Sequence, residues 1–302
     1  MSGTIANNAG LGVALGLFGG LVISLDIPVI RLAGTDHWTA MVVRGGVLFL
    51  LFLPLIAHAA FRARRAGRRY FTRAWIEVSL LYGMTNILFT LSVFATTTAN
   101  LVFILAFNSM IAALLGWWMI GERPGAATWA AIAATIVGVA IIVSGSVGRG
   151  SWGDMFALLT AATLALALVR ARQSGQDVSL TPGPGGLLAF AFGLGPMLAW
   201  SGPSEAPAWL LVNAAIVLPI SAWALALAPR YIPAPQVAMF YLLETVLAPV
   251  WVFAVFGETI APATFAGGAV ILLAIGTHSL LSLAMAKSRL RSTSGLQPGA
   301  SS

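Results

Sequence analysis

GWWMIGERPGAATWAA (residues 116–131) and VFAVFGETIAPATFAG (residues 252–267) are two related stretches in a chain of which only 8% is charged. Each stretch runs from an apolar helix through a Gly-Glu pair and a proline into a second apolar helix. Glu122 of the first aligns with Glu258 of the second at a separation of 136 residues, and the glycines before them align in the same way. We therefore predict a chain of two related halves.

The composition is that of a membrane protein. The 302 residues are 59% hydrophobic, with a mean hydropathy of +0.93, whereas a soluble domain carries about 25% charged residues. The absence of cysteine excludes disulfides, thiolate metal sites and cysteine nucleophiles. The net charge of +7 does not indicate nucleic-acid binding, because most basic residues fall in short loops or the tail. The N-terminus lacks a basic start, so we expect no cleaved signal peptide.

Apolar stretches long enough to cross roughly 30 Å of hydrocarbon recur along the chain. We predict ten transmembrane helices, at residues 10–31, 38–60, 74–95, 97–119, 125–145, 152–170, 184–201, 207–228, 233–256 and 262–284. They form an all-α integral membrane protein. Its predicted divisions are an N-terminus at 1–9, a first five-helix repeat at 10–145, a second repeat at 146–284 and a tail at 285–302.

The basic residues predict the orientation of these helices. RARRAGRRYFTR (residues 62–73) holds six arginines, and the positive-inside rule makes this loop cytoplasmic. Both termini are then cytoplasmic, as are thirteen of the 16 lysines and arginines. Because each repeat has an odd number of spans, the second repeat enters the membrane from the opposite side. Inverted repeats around a midplane site are a recurring architecture of secondary transporters.

Three stretches resemble a known family: RGGVLFLLFLPL (44–55), NILFTLSVFATTTANLVFILAFNSMIAALLGWWMIGERP (86–124) and YLLETVLAPVWVFAVFGETIAPATFAGGAVILLAIG (241–276). They are similar to the ten-helix EamA-type branch of the drug/metabolite transporter superfamily, and the resemblance covers most of residues 10–284. It implies a secondary carrier without a bound cofactor, which exports amino acids, metabolites or cationic drugs. Within the family, the YddG-type exporters of aromatic amino acids are the group that we favour.

Ionisable and amide side chains inside predicted spans are the candidate functional residues, since such groups are costly in a membrane. Glu244 lies about 18 Å into span nine, near the midplane. Asn108, its counterpart at the repeat offset of 136 residues, lies at a similar depth in span four. We predict a central substrate cavity lined by Tyr82, Asn86, Phe89, Asn108, Tyr241, Glu244 and Trp251. Glu244 would contact an ammonium group or exchange a proton; the alternative is a neutral hydrogen-bonded contact between helices.

Two further sets of residues have predicted structural or gating roles. Asp26 in span one and Arg44 in span two both fall in the outer third of the bilayer, where they are expected to pair. The pair is either purely structural or an outer gate, assisted by Pro28, which removes a backbone hydrogen bond and can bend span one. Glu122 and Glu258 end helices at the interface, and we interpret them as structural or hinge residues.

These observations predict a secondary transporter and not an enzyme, with neither a cofactor nor a metal site. It exports small organic solutes, above all amino acids including aromatic ones, across the bacterial cytoplasmic membrane. We expect a monomer or weak dimer in the lipid bilayer, without a nucleic-acid partner. An exporter of cationic drugs or other polar metabolites is the alternative. An intramembrane enzyme acting on lipid is a remote alternative, because it would need clustered His, Asp or Ser side chains near one face.

Overall fold

The computed structural model describes residues 9–96, 98–143, 152–200, 207–256 and 262–294, and these residues form helices and no strands. The first half contains α1 (Ala9–Ile23), α2 (Asp26–Ala33), α3 (His37–Arg65), α4 (Arg73–Ala95), α5 (Thr98–Ala106), α6 (Asn108–Ile120) and α7 (Ala126–Val143). The second half contains α8 (Trp152–Ser174), α9 (Pro182–Trp200), α10 (Pro207–Val212), a π-helical segment (Asn213–Val217), α11 (Leu218–Leu227), a 3-10 turn (Ala228–Arg230), α12 (Ala234–Tyr241), α13 (Leu243–Phe256) and α14 (Pro262–Ser294).

Six helical segments of the described chain are long and apolar enough to cross a membrane: Ala9–Ile30, His37–Arg65, Arg73–Ala95, Phe103–Ile120, Trp152–Ser174 and Ala208–Arg230. Shorter apolar helices at Ala126–Ile142, Ala234–Leu247 and Phe265–Leu281 lie within predicted spans five, nine and ten. The predicted all-helical, multi-pass membrane character is therefore confirmed at this level.

A one-residue break divides each of two predicted spans. Phe107 separates α5 from α6, and Leu242 separates α12 from α13. At each break the backbone N–H bonds to the carbonyl three residues earlier, at 3.2 and 3.0 Å, instead of the carbonyl four residues earlier. Neither break contains a proline. At the first, Ser109 Oγ donates to the Ala106 carbonyl at 3.2 Å and so competes with the helical ladder.

The first predicted span is also interrupted, between α1 and α2. Pro28 has no N–H to donate, and its ring opposes the carbonyl of Ser24 four residues earlier. Leu25 accordingly donates to the Val22 carbonyl, three residues back, at 3.2 Å. The bend that Pro28 predicts thus lies at Ser24 and Leu25, and α2 starts with Asp26.

The most extensive helix contacts join the two halves of the sequence. They are α1 with α11, α3 with α9, α4 with α8, α6 with α12, and α7 with α14. Replacing every helix in this set by its counterpart in the other half returns the same set of pairs. The packing is thus reciprocal between the halves, as related halves require.

Glycines bring two of these pairs into backbone contact. A Cβ added to Gly45 of α3 would lie 2.5 Å from the Gly186 carbonyl oxygen of α9. A Cβ added to Gly267 of α14 would lie 2.2 Å from the Gly138 carbonyl oxygen of α7. This close packing outweighs the poor helix propensity of the glycine-rich start of α9. The helix begins at Pro182, two residues before the predicted start, because proline suits the first helical position.

Candidate solute-binding cavity

A cavity of ≈ 140 Å³ lies where the broken helices meet α3, α4 and α8. Six of the seven predicted substrate-binding residues line it: Tyr82, Asn86, Phe89, Asn108, Tyr241 and Glu244. Asp26 and Arg44, predicted to lie in the outer third of the bilayer, line the same cavity. The structure therefore brings the predicted binding residues and the predicted gate pair together in one place.

The lining residues are paired between the two halves. Ten of them form five pairs separated by the repeat offset of 136 residues: Tyr82 with Leu218, Asn86 with Ala222, Phe89 with Leu225, Leu105 with Tyr241, and Asn108 with Glu244. Asn108 is the first residue of α6 and Glu244 the second of α13. Both polar side chains therefore follow directly after a helix break.

Asp26 and Arg44 form a fully buried ion pair in the wall of this cavity. Arg44 Nη2 donates to both carboxylate oxygens of Asp26 at 2.9 Å, and the side chains are 3% and 1% exposed. Asn213 Nδ2 donates to Asp26 Oδ1 at 2.8 Å. Asn213 opens the π-helical segment, where Leu218 N–H bonds to the Asn213 carbonyl five residues back. The pair thus joins α2 and α3 of the first half to a widened turn of the second half.

Four lining residues each carry a buried polar atom without a hydrogen-bond partner in the described structure: Arg44 Nε, Tyr82 Oη, Asn108 Oδ1 and Glu244 Oε1. An unpaired buried polar group costs about 1–3 kcal/mol. Asp26 balances the charge of Arg44, whereas the described residues form no ion pair with Glu244. A deprotonated Glu244 is therefore the uncompensated charge of the cavity, and Glu244 and Asn108 together offer acceptors to a cationic donor.

Trp251, the seventh predicted substrate-binding residue, does not line this cavity. Its Nε1 donates to Ser24 Oγ at 2.9 Å, at the break between α1 and α2. Trp251 follows Glu244 by two helical turns, which places it about 10 Å further along the helix axis. Helical periodicity correctly predicts a shared face here but does not limit how far along that face the cavity extends.

Glu122 lies away from the cavity, in a contact between the halves. Its Oε1 accepts from Arg172 Nε at 3.0 Å. Arg172 Nη1 also donates to the carbonyls of Pro229 and Arg230, at 3.4 Å each. The end of α8 is thereby tied to the α6–α7 link and to the 3-10 turn. Glu258, the predicted counterpart of Glu122, lies outside the described residues.

Sequence reasoning missed several polar residues at this site. Thr85, Thr160 and Thr245 line the cavity, and Asn213 holds Asp26. The threonines give little signal, because a hydroxyl is readily satisfied by its own helix: Thr85 and Thr160 donate to carbonyls four residues earlier, at 2.8 and 2.7 Å. Asn213 was detectable, since an amide inside an apolar span commonly contacts another helix.

Comparisons with known proteins support the fold alone. No protein-family model matches the chain, and no curated protein matches it. A solved structure described as "Crystal structure of protein" is similar with a TM-score of 0.70 at 13% sequence identity, over 91% of this chain and 98% of that chain. At this identity the similarity indicates a common fold and carries no information about the transported or bound molecule.

Proposed function

We propose that the chain is a secondary transporter that exports small organic solutes, above all amino acids including aromatic ones. In this proposal ten transmembrane helices form two inverted five-helix repeats, at residues 10–145 and 146–284, with both termini in the cytoplasm. The repeats rock about the central cavity and expose it to each side of a bacterial cytoplasmic membrane in turn. The resemblance to EamA-type members of the drug/metabolite transporter superfamily agrees with this architecture.

One observation carries the proposal: polar residues at equivalent positions of the two halves, Asn108 and Glu244, enter one cavity directly after matching helix breaks. Discontinuous helices that meet at a repeat interface are a typical solute site in secondary transporters, because broken turns free backbone and side-chain polar groups for a solute. A static membrane scaffold has no need of an unpaired carboxyl in an internal cavity.

The ion pairs around the cavity support gating between the halves. On the proposed outer side, Asn213 of the second repeat holds Asp26 and Arg44 of the first. On the proposed cytoplasmic side, Arg172 of the second repeat holds Glu122 of the first. Alternating access requires such contacts to form on one side as they break on the other. Pro28, at the start of the short helix α2, would provide the hinge for the outer contact.

The exporter of cationic drugs stays the second candidate, for a specific reason. Glu244 is uncompensated, so any compact organic cation would neutralise the cavity, with or without a carboxylate. A lipid-acting enzyme is disfavoured because, among the described residues, no group of three or more His, Asp or Glu side chains is placed to hold a metal ion. Nor do the described cavity residues form a nucleophile with an adjacent base.

The test is a counterflow screen in proteoliposomes that contain the purified full chain. Vesicles are preloaded with unlabelled amino acids or organic cations, and uptake of the labelled solute is measured. We expect exchange of amino acids. Exchange of organic cations alone would select the second candidate, and exchange of neither class would contradict the proposal.

A further inference from the structure

A second cavity of ≈ 250 Å³ adjoins the central one. It lies between α2, the α2–α3 link, α4 and α5, and it is lined by Ile27, Ile30, Gly34, Thr35, Val93, Phe94 and Leu101. Ile27 and Leu101 line both cavities. These two side chains are therefore the wall that the cavities share, and we call the second one the outer cavity.

The two cavities differ in chemistry. The central cavity contains a buried ion pair, an unpaired carboxyl and two asparagines. Among the described residues that line the outer cavity none is charged, and Thr35 is the only polar one. An apolar enclosure of this kind rewards the burial of hydrocarbon or aromatic surface, at about 25 cal/mol per Å², and penalises a charged group.

The two cavities also differ in size. A cavity of about 150 Å³ is known to hold a benzene ring, so the central cavity of ≈ 140 Å³ is filled by a charged head group with few additional atoms. The outer cavity of ≈ 250 Å³ has room for an aromatic ring. Asp26 of the central cavity and Ile27 of the shared wall are neighbours in the chain, so a head group bound beside Asp26 lies next to the outer cavity.

We infer that the outer cavity is the side-chain subsite of the transported solute and selects a large apolar or aromatic side chain. The charged head group occupies the central cavity, and the side chain passes Ile27 and Leu101 to contact Val93 and Phe94. This inference rests on the proposed transport function. It assigns the size preference of the protein to residues that surround no charged group.

The test compares phenylalanine with alanine, which share a head group and differ in the side chain. Binding to the full chain in lipid nanodiscs is measured by titration calorimetry. The unmodified protein is expected to bind phenylalanine at least about tenfold more tightly than alanine, since each methylene in an apolar pocket contributes a factor of about 10 or more. Val93→Trp, which fills the outer cavity only, should abolish this advantage and leave the affinity for alanine unchanged.

Val137→Trp is the matched control, because Val137 is 54% exposed on α7 and lines neither cavity. Ile30→Phe fills the outer cavity from α2 and serves if the first variant does not fold. Equal loss of both ligands in Val93→Trp, the same effect in Val137→Trp, or equal affinities in the unmodified protein would overturn the inference. Binding as expected without counterflow would leave the subsite standing and refute transport. Counterflow of other solutes without binding of phenylalanine would do the reverse.

Discussion

Glu244 and Glu122 show how the surroundings of a carboxylate decide its role. Glu122 is 38% exposed and paired with Arg172. An ion pair of this kind contributes about 0–1 kcal/mol. Glu244 lines the central cavity, and its Oε1 has no partner in the described structure. The first carboxylate therefore stabilises a contact that already exists, and the second is available to a solute.

Glu244→Gln should lower the rate of solute counterflow by at least about tenfold, because a hydrogen bond to a charged group contributes about 1.5–3 kcal/mol. Glu122→Gln is the matched control, with the same isosteric change at a site outside the cavity, and its rate should stay within about twofold of the unmodified protein. Initial rates in proteoliposomes at equal protein content check this. Equal losses in the two variants would reject the separate roles of these residues.

The buried pair of Asp26 and Arg44 leads to a prediction about stability. Asp26→Leu leaves the charge of Arg44 buried without its partner, which should lower the free energy of unfolding by about 3–5 kcal/mol. Combining it with Arg44→Met removes both charges and should restore most of that loss. Denaturant unfolding in detergent, followed by tryptophan fluorescence, compares the two proteins. A double variant as unstable as the single one would show that the side chains matter through packing and not through charge.

At the scale of helices, the existence of spans was easier to predict than their interruptions. A run of about 20 apolar residues reports a span through its transfer free energy alone. Pro28 marks the bend in the first span, since a proline acts on its own helix. The breaks at Phe107 and Leu242 have no such residue and depend on packing between the halves. For the same reason the sequence indicated Glu244 and Asn108 but did not indicate that helix breaks place them in the cavity.

Helix α1 packs through glycines spaced four residues apart, and this contact is testable. A Cβ added to Gly20 would lie 2.5 Å from the backbone oxygen of Phe240 in α12. Since a backbone atom cannot move aside cheaply, Gly20→Ala should destabilise the protein by about 1–3 kcal/mol. At Gly116 of α6 a Cβ meets nothing within 4 Å. Gly116→Ala should therefore be neutral or stabilising by about 0.5–1 kcal/mol.

Melting temperatures of these two alanine variants in detergent check the prediction. The comparison isolates the contact, because both substitutions add one methyl group inside a helix. Equal melting temperatures would mean that α1 can move away from α12 at little cost. In that case the close packing of these helices would not contribute to the stability of the protein.

At the scale of the whole molecule, the reciprocal packing and the paired cavity residues require the two halves to be related by an axis through the cavity. Helices α3 and α9, α6 and α12, and α7 and α14 each pack against their own counterpart. Two equivalent helices that cross at one point can be related by a two-fold axis there. Five spans in each half would orient this axis in the plane of the membrane, because equivalent positions then face opposite sides.

Cysteine labelling tests this orientation directly, because the chain has no cysteine of its own. Arg123→Cys marks the exposed α6–α7 link, and Thr259→Cys marks the equivalent stretch of the second half, which lies outside the described residues. In intact cells a membrane-impermeant maleimide should label residue 259 and label residue 123 only after permeabilisation. Arg69→Cys, in the arginine-rich loop, is the control and should behave like residue 123. Labelling of 123 and 259 from the same side would require an even number of spans between them. The pairing of Asn108 with Glu244 across an axis in the membrane plane would then be impossible, and with it alternating access by inverted repeats.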